Sequence, residues 1–343
     1  MNTEALRTVA ATYGTPTYIF DVREVEARIR LLRSLLPEDT GLCFAVKANP
    51  FLIPYVADMV DRLEVCSPGE YEICIQEQIA PEKIVVSGVN KTYESMKRIL
   101  SYSKGAGIYT IESEEHAKIL RTLAEKNQMP LSVLIRLSSG NQFGVDAETF
   151  FRLAKEIQES PYLTLAGVHY YAGTQKRQSK LEKELDTLTA FAKTFEEETG
   201  TVLKELEYGA GMKVSYFIND SEKDQRESEP EPQIQALAEK LRTCAYGKKT
   251  IELGRFLVSM SGYYLTRVMD VKRTAQPGFL ILDGGIHQIN YYGWMMGMKQ
   301  PEIEVLAEKD GDEELFHLCG SLCTVNDVLA RDVALHDPQK GDV

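Results

Sequence analysis

Between residues 40 and 255, short apolar runs alternate with longer stretches whose apolar positions recur every three or four residues. The short runs are LCFAVKAN, LEVCS, KIVVSG, IYTIES, LSVLIRLSSG, LAGVHYYAGT, LKELEYGAG and KTIELGR. Their length and their content of β-branched and aromatic residues predict strands. Between them PGEYEICIQEQI, SEEHAKILRTLAEK and AETFFRLAKEIQES have the spacing of amphipathic helices. Eight strand–helix units in a row predict an α/β fold built on a (β/α)8 TIM-like barrel over residues 22–255. The seventh connection contains the acidic, Pro-containing NDSEKDQRESEPEP, expected to be an exposed excursion.

The two ends of the chain have a different pattern. YIFD, LVSMSGYYLTRVMDVKR, GFLILDGG and LFHLCGSLC read as strands without long helices between them. They predict an antiparallel β-domain made from residues 1–21 and 256–343, with a hairpin region packed on the barrel as the plainer alternative.

Polar residues punctuate the predicted barrel at one address. Lys47, Glu64, Ser67, Gly88, Glu112, Arg136, His169, Tyr171, the Gly209–Gly211 turn and Glu252–Arg255 all fall at or near the C-terminal ends of strands. That is the face on which such barrels carry their active sites. Any one of them could be a loop residue; the repeated address points to chemistry.

Composition narrows the choice of partner. The chain has 343 residues and a formal net charge of −12, which disfavours general binding to nucleic acid or anionic membrane. The start MNTEALRTVAATYG has no apolar core of a signal peptide, and no apolar run is long enough to span a bilayer, so a cytoplasmic location is expected. Six cysteines form no disulfide framework or zinc set, and no metal is expected.

Lys47 ends an apolar strand, where it is either a solvated strand-end residue or a nucleophilic amine. It could form a Schiff base once burial or nearby cations lower its pKa. The glycines of Gly209-Ala210-Gly211 let backbone amides approach an anion, although any tight turn also needs glycine. Thr174 follows the sixth strand, and Arg255 offers a charge-assisted phosphate contact or an ordinary salt bridge. A Schiff-base lysine facing a phosphate cradle suggests pyridoxal 5'-phosphate, with Glu252 beside its ring nitrogen.

These motifs, in this order, resemble the fold-type III pyridoxal-phosphate decarboxylases, the diaminopimelate and ornithine decarboxylase group with alanine-racemase-like architecture. FAVKANP is similar to the family's cofactor-lysine motif, and EVCSPGE to the motif after the second strand. VHYYAGTQ, YGAGM and IELGR resemble the later barrel motifs, and LDGGIHQ and GSLCTVNDVLARD those of the second domain. The resemblance implies that Lys47 carries the cofactor and Glu252 faces its pyridine nitrogen. Thr174, Gly209, Ala210, Gly211, Gly254 and Arg255 would bind phosphate, and Tyr171 would stack on the ring. Glu64 and Arg136 would form a charged pair near the lysine. Cys323 would be the catalytic cysteine that reaches the partner's active site, which implies a homodimer. Tyr291, Thr324 and Asp327 would contact substrate.

The sequence departs from the family at four places. Tyr171 replaces a histidine, Thr324 replaces a glutamate that reads a distal amino group, and Tyr291 replaces a carboxylate-binding arginine. The chain also stops at DPQKGDV where relatives continue, so the second domain is expected to be truncated. The Tyr171 and Thr324 variants are similar to the carrier-protein glutamyl decarboxylase of butirosin biosynthesis. The expectation is therefore a decarboxylase of an amino acid, or of a glutamyl-like group tethered to an acyl-carrier protein. Alternatives are a diaminopimelate or basic amino-acid decarboxylase, a racemase-like enzyme, and a cofactor-binding regulatory homologue.

Overall fold

The computed structural model describes residues 1–289, 299–307 and 309–343. The strands in chain order are β1 (Thr17–Phe20), β2 (Thr40–Ala45), β3 (Arg62–Val65), β4 (Ile84–Val86), β5 (Ile108–Ile111), β6 (Leu131–Arg136), β7 (Leu163–Tyr171), β8 (Glu205–Gly209), β9 (Lys248–Leu253), β10 (Gly262–Leu265), β11 (Val268–Lys272), β12 (Gly278–Leu282), β13 (Glu313–Cys319) and β14 (Val328–His336). Strands β2 to β9 pair in parallel and close into a barrel, as the alternation of runs predicts. The helices between them start where short polar side chains satisfy free backbone amides. Ser67, Ser113 and Asp146 accept from Glu70, His116 and Thr149 N–H groups, and Thr92 with Ser95 forms a capping box.

Two compact units divide the chain. One comprises Val22–Val214 and Arg226–Met260, the barrel; the other comprises Met1–Asp21, Ser215–Gln225 and Ser261–Val343. The acidic excursion of the seventh connection is therefore split. Residues 215–225 group with the terminal unit, while Pro230–Thr243 forms a helix of the barrel with apolar positions Ile234, Leu237, Ala238 and Leu241 buried. Phe256 to Met260 also stay with the barrel, beyond the expected boundary at residue 255.

Within the terminal unit, β1 pairs antiparallel with β10, and β11-β12-β13-β14 forms a second sheet. Its pairings are antiparallel except one. β12 and β13 run parallel, because the long connection from residue 283 to 312 lets the chain re-enter the sheet in the same direction. Leu280, Phe316, Leu318, Ala330 and Val333 form its buried face. An additional helix, Thr3–Tyr13, opens the chain; Asn2 caps it and Leu6 and Ala10 are its buried positions.

Candidate active site

The barrel's interior is charged where such folds commonly hold branched aliphatics. Arg62 on β3 reaches Glu205 and, at 2.9 Å, Glu207 on β8. His169 on β7 meets Glu252 on β9 at 3.1 Å. Neither pair of strands is adjacent in the barrel, so both contacts cross the interior. Alternation explains how the chain achieves this: Arg62 and Glu64, and Glu205 and Glu207, are two residues apart and project to the same side of their strands.

Lys47 follows β2 in a short turn, Val46–Ala48, that brings its amine over the interior. Its Nζ lies 3.0 Å from Glu64, 3.4 Å from Glu252 and 3.5 Å from the thiol of Cys66. The condition set for Schiff-base formation, a lysine pKa lowered by burial or nearby cations, is not met by these surroundings. Burial does push toward the neutral amine, but Glu252, Glu64 and Cys66 outweigh it and the pKa is raised. The side chain is 42% exposed to the cleft, so water moderates these attractions without reversing them. A neutral Lys47 requires that its carboxylate partners be neutralised by another group. Glu252, although buried, is held down to about 2 by Lys47 and His169.

The expected Glu64–Arg136 pair is also corrected. Glu64 pairs with Lys47, whereas Arg136 on β6 pairs at 2.9 Å with Glu112, just past the end of the adjacent β5, and stacks on Phe143. Lys91 lies 3.8 Å from the same Glu112 and 3.1 Å from the Thr110 hydroxyl. Burial lowers its pKa to about 8, with Glu112 opposing. The SGVNK stretch after the fourth strand was the available signal for this lysine, which the sequence reading did not single out.

A cleft of about 220 Å³ opens above these groups. Lys47, Tyr171, Thr174, Gly211, Glu252, Gly254 and Arg255 line it, together with Ala45, Ala48, Met212, Leu253 and Phe256. The glycines are shaped for close approach. A Cβ on Gly211, whose φ is +58°, would meet the Gly173 carbonyl at 2.1 Å, and one on Gly209 would meet the Tyr171 ring at 2.4 Å. Behind this turn a second missed residue, Lys176, is bonded to the Gly209 carbonyl at 2.9 Å and to Glu184 at 2.8 Å. Lys176 also lies 5.6 Å from the centroid of the Tyr171 ring. An amine, a buried anionic carboxylate, an aromatic wall and a glycine turn beside Thr174 and Arg255 make a donor set that fits pyridoxal phosphate.

The remaining expected residues belong to the terminal unit. Cys323 and Thr324 are exposed in the loop between β13 and β14. Asp327 is 2% exposed, and its carboxylate accepts the Ile286 and Leu322 N–H groups, each at 2.8 Å. It is thereby corrected from substrate contact to scaffold. Gly285 and Gly320 press against that carboxylate; a Cβ on either would lie within 2.6 Å of it. Tyr291 lies outside the described residues.

Barrel, lysine and phosphate-shaped turn together define a pyridoxal-phosphate enzyme of the barrel type. Comparison with known families identifies which one: residues 22–259 match the pyridoxal-dependent decarboxylase, pyridoxal binding domain model, and the chain belongs to that family. It is an amino-acid decarboxylase that uses pyridoxal phosphate. Over 360 residues it is 31% identical to a diaminopimelate decarboxylase of Actinosynnema pretiosum subsp. auranticum, covering 98% of this chain and 79% of the relative. Over 374 residues it is 26% identical to the L-glutamyl-(BtrI acyl-carrier protein) decarboxylase of Niallia circulans, covering 100% and 86%. The crystal structure of diaminopimelate decarboxylase from M. jannaschii in complex with L-lysine superposes with a TM-score of 0.85 at 21% identity, covering 98% and 82%. That likeness reports the fold.

Proposed function

We propose that this chain decarboxylates an α-amino acid whose side-chain carboxylate is masked, a glutamyl-like group carried on an acyl-carrier protein, with the cofactor attached at Lys47. The observation that carries the cofactor assignment is the Lys47 amine set between Glu64 and Glu252 at the rim of a cleft closed by a glycine turn. When bound, pyridoxal phosphate supplies the electron sink for the pair left by departing carbon dioxide. Glu252, kept anionic, favours a protonated ring nitrogen. Gly211, Thr174 and Arg255 hold the phosphate, and Tyr171 walls the ring. Glu64 and Glu252 compete for the Lys47 proton. Cys323, supplied by the second subunit of a homodimer in the cytoplasm, delivers the final proton.

The substrate reading rests on Tyr171 and Thr324, the departures from the wider family that resemble the carrier-protein enzyme. A second reading, diaminopimelate as substrate, is favoured by the 31% identity to an enzyme of that name. Borohydride reduction of the purified protein with pyridoxal phosphate, followed by peptide mapping, tests the cofactor site. A stable adduct at Lys47, lost in Lys47→Ala, is expected; an adduct elsewhere refutes the assignment. Carbon dioxide release from carrier-bound glutamate, with none from free diaminopimelate, lysine or ornithine, is expected. Release from diaminopimelate instead selects the second reading.

A further inference from the structure

The two segments that carry the phosphate residues are fastened to each other by side chains that the reaction as described does not use. Thr174 lies just past β7, and the Gly209-Ala210-Gly211 turn starts at the end of β8. The Gln175 side-chain amide donates to the Val214 carbonyl and accepts from the Val214 N–H, each at 2.8 Å. The next residue, Lys176, holds the turn twice. Its backbone N–H donates to the Gly211 carbonyl at 2.9 Å, and its buried ammonium donates to the Gly209 carbonyl at 2.9 Å. The fit is close, since a Cβ on Gly211 would lie 3.1 Å from the Lys176 Cε.

A buried ammonium is costly unless it is paired. Glu184, on the helix Gln178–Thr199, pairs with Lys176 at 2.8 Å and also accepts the Tyr208 hydroxyl at 2.7 Å. The ammonium lies 5.6 Å from the centroid of the Tyr171 ring and 5.1 Å from that of Tyr208. Burial lowers the lysine's pKa, with Glu184 opposing. Well-packed apolar side chains commonly serve stability as well as a buried ion pair does. The charge is therefore explained by what it holds, the carbonyl of the turn.

A trans peptide points its carbonyl and the following N–H in opposite directions. The Gly209–Ala210 and Gly211–Met212 bonds are trans, so carbonyls fixed on Lys176 turn the Ala210 and Met212 N–H groups away from it. Gly211 and Met212 line the cleft. We propose that Lys176 is a positioning residue: by holding the Gly209 carbonyl with its ammonium and the Gly211 carbonyl with its backbone amide, it aims the Ala210 and Met212 N–H groups at the cofactor's phosphate. The inference rests on the phosphate site argued above. Without the ammonium, the Gly209 peptide is free to rotate, and a carbonyl turned toward the phosphate would repel it.

The test titrates the full-length protein with pyridoxal phosphate and, separately, with pyridoxal, which lacks the phosphate, and reads each Kd from the visible absorbance of the adduct. Wild type is expected to prefer pyridoxal phosphate. The variant carries K176M together with E184Q, so that no carboxylate is left buried alone. In it pyridoxal phosphate binding should weaken about ten- to a hundredfold, while pyridoxal binding changes less than about threefold. A merely structural role would weaken both alike. Equal losses for the two ligands, or an unchanged preference, overturn the proposal. If the double variant does not fold, cofactor-loaded wild type labelled with 15N and 13C decides. A scalar coupling between the Lys176 Nζ and the Gly209 carbonyl carbon supports the clamp, and its absence refutes it. If wild type itself binds both ligands equally, the phosphate site falls; a wild-type preference that the variant retains sinks this inference alone.

Discussion

Glu207 and Glu252 sit on neighbouring strands and titrate in opposite directions. Glu252 is held down to about 2 against an ordinary 4.5, so its contribution to stability is present above about 4.5 and is lost as pH falls toward 2. Glu207 is pushed up to about 7, so the folded protein keeps a proton that the unfolded chain releases above about 4.5. Stability from that group therefore declines as pH rises from about 4.5 to 7, by an amount on the order of 3 kcal/mol, and is level beyond. Urea unfolding at about pH 5 and pH 8 should show a lower midpoint at the higher pH, and Glu207→Gln should flatten the difference. An unchanged slope in that variant would remove Glu207 as its source. The addresses of Lys47, Glu252 and His169 were legible as polar residues ending apolar strands. Their partners were not. Whether Arg136 meets Glu64 or Glu112 depends on the stagger of strands around the barrel, which no short motif encodes.

Among the elements, the barrel strands were readable because their apolar runs and the helical stretches between them differ in period. The first helix, Thr3–Tyr13, went unassigned although Asn2 and Gly14 mark both its ends; its two buried positions make a narrow apolar stripe. The loop between β13 and β14 shows how a motif can mislead. GSLCTVND reads as a row of substrate contacts, yet Asp327 spends both oxygens on backbone amides, and Gly285 and Gly320 are small to admit it. Asp327→Ala should leave two buried N–H groups unpaired and cost about 2–5 kcal/mol locally. Hydrogen exchange at the Ile286 and Leu322 amides should accelerate far more than exchange in β2 to β9. Uniform acceleration across both units, or none, would show that Asp327 does not pin this loop.

For the molecule as a whole, the assignment of Cys323 to a partner's site makes a quantitative expectation. In the proposed homodimer, Lys47→Ala and Cys323→Ala would each damage both sites of their own dimer. Random reassociation of equal amounts makes half the dimers mixed, and each mixed dimer has one site with both residues intact, so about a quarter of wild-type activity should return. No recovery, in a mixture shown by sedimentation to contain mixed dimers, would place Cys323 in its own subunit's chemistry or outside it. The two-unit division was partly visible in the change of pattern at the chain ends, but the split excursion was not, since acidic composition alone does not distinguish a helix start from a loop. The pairing of β1 with β10 also bears on how the protein is made. Thr17 aligns with Leu265, so β1 finds its partner only after the intervening barrel has been synthesised. Until then β1 is an open sheet edge, exposed for as long as the ribosome takes to add some 240 residues, about 12–50 s at common elongation rates. Thr17–Phe20 is thus a segment that a chaperone would hold until Gly262–Leu265 has been made.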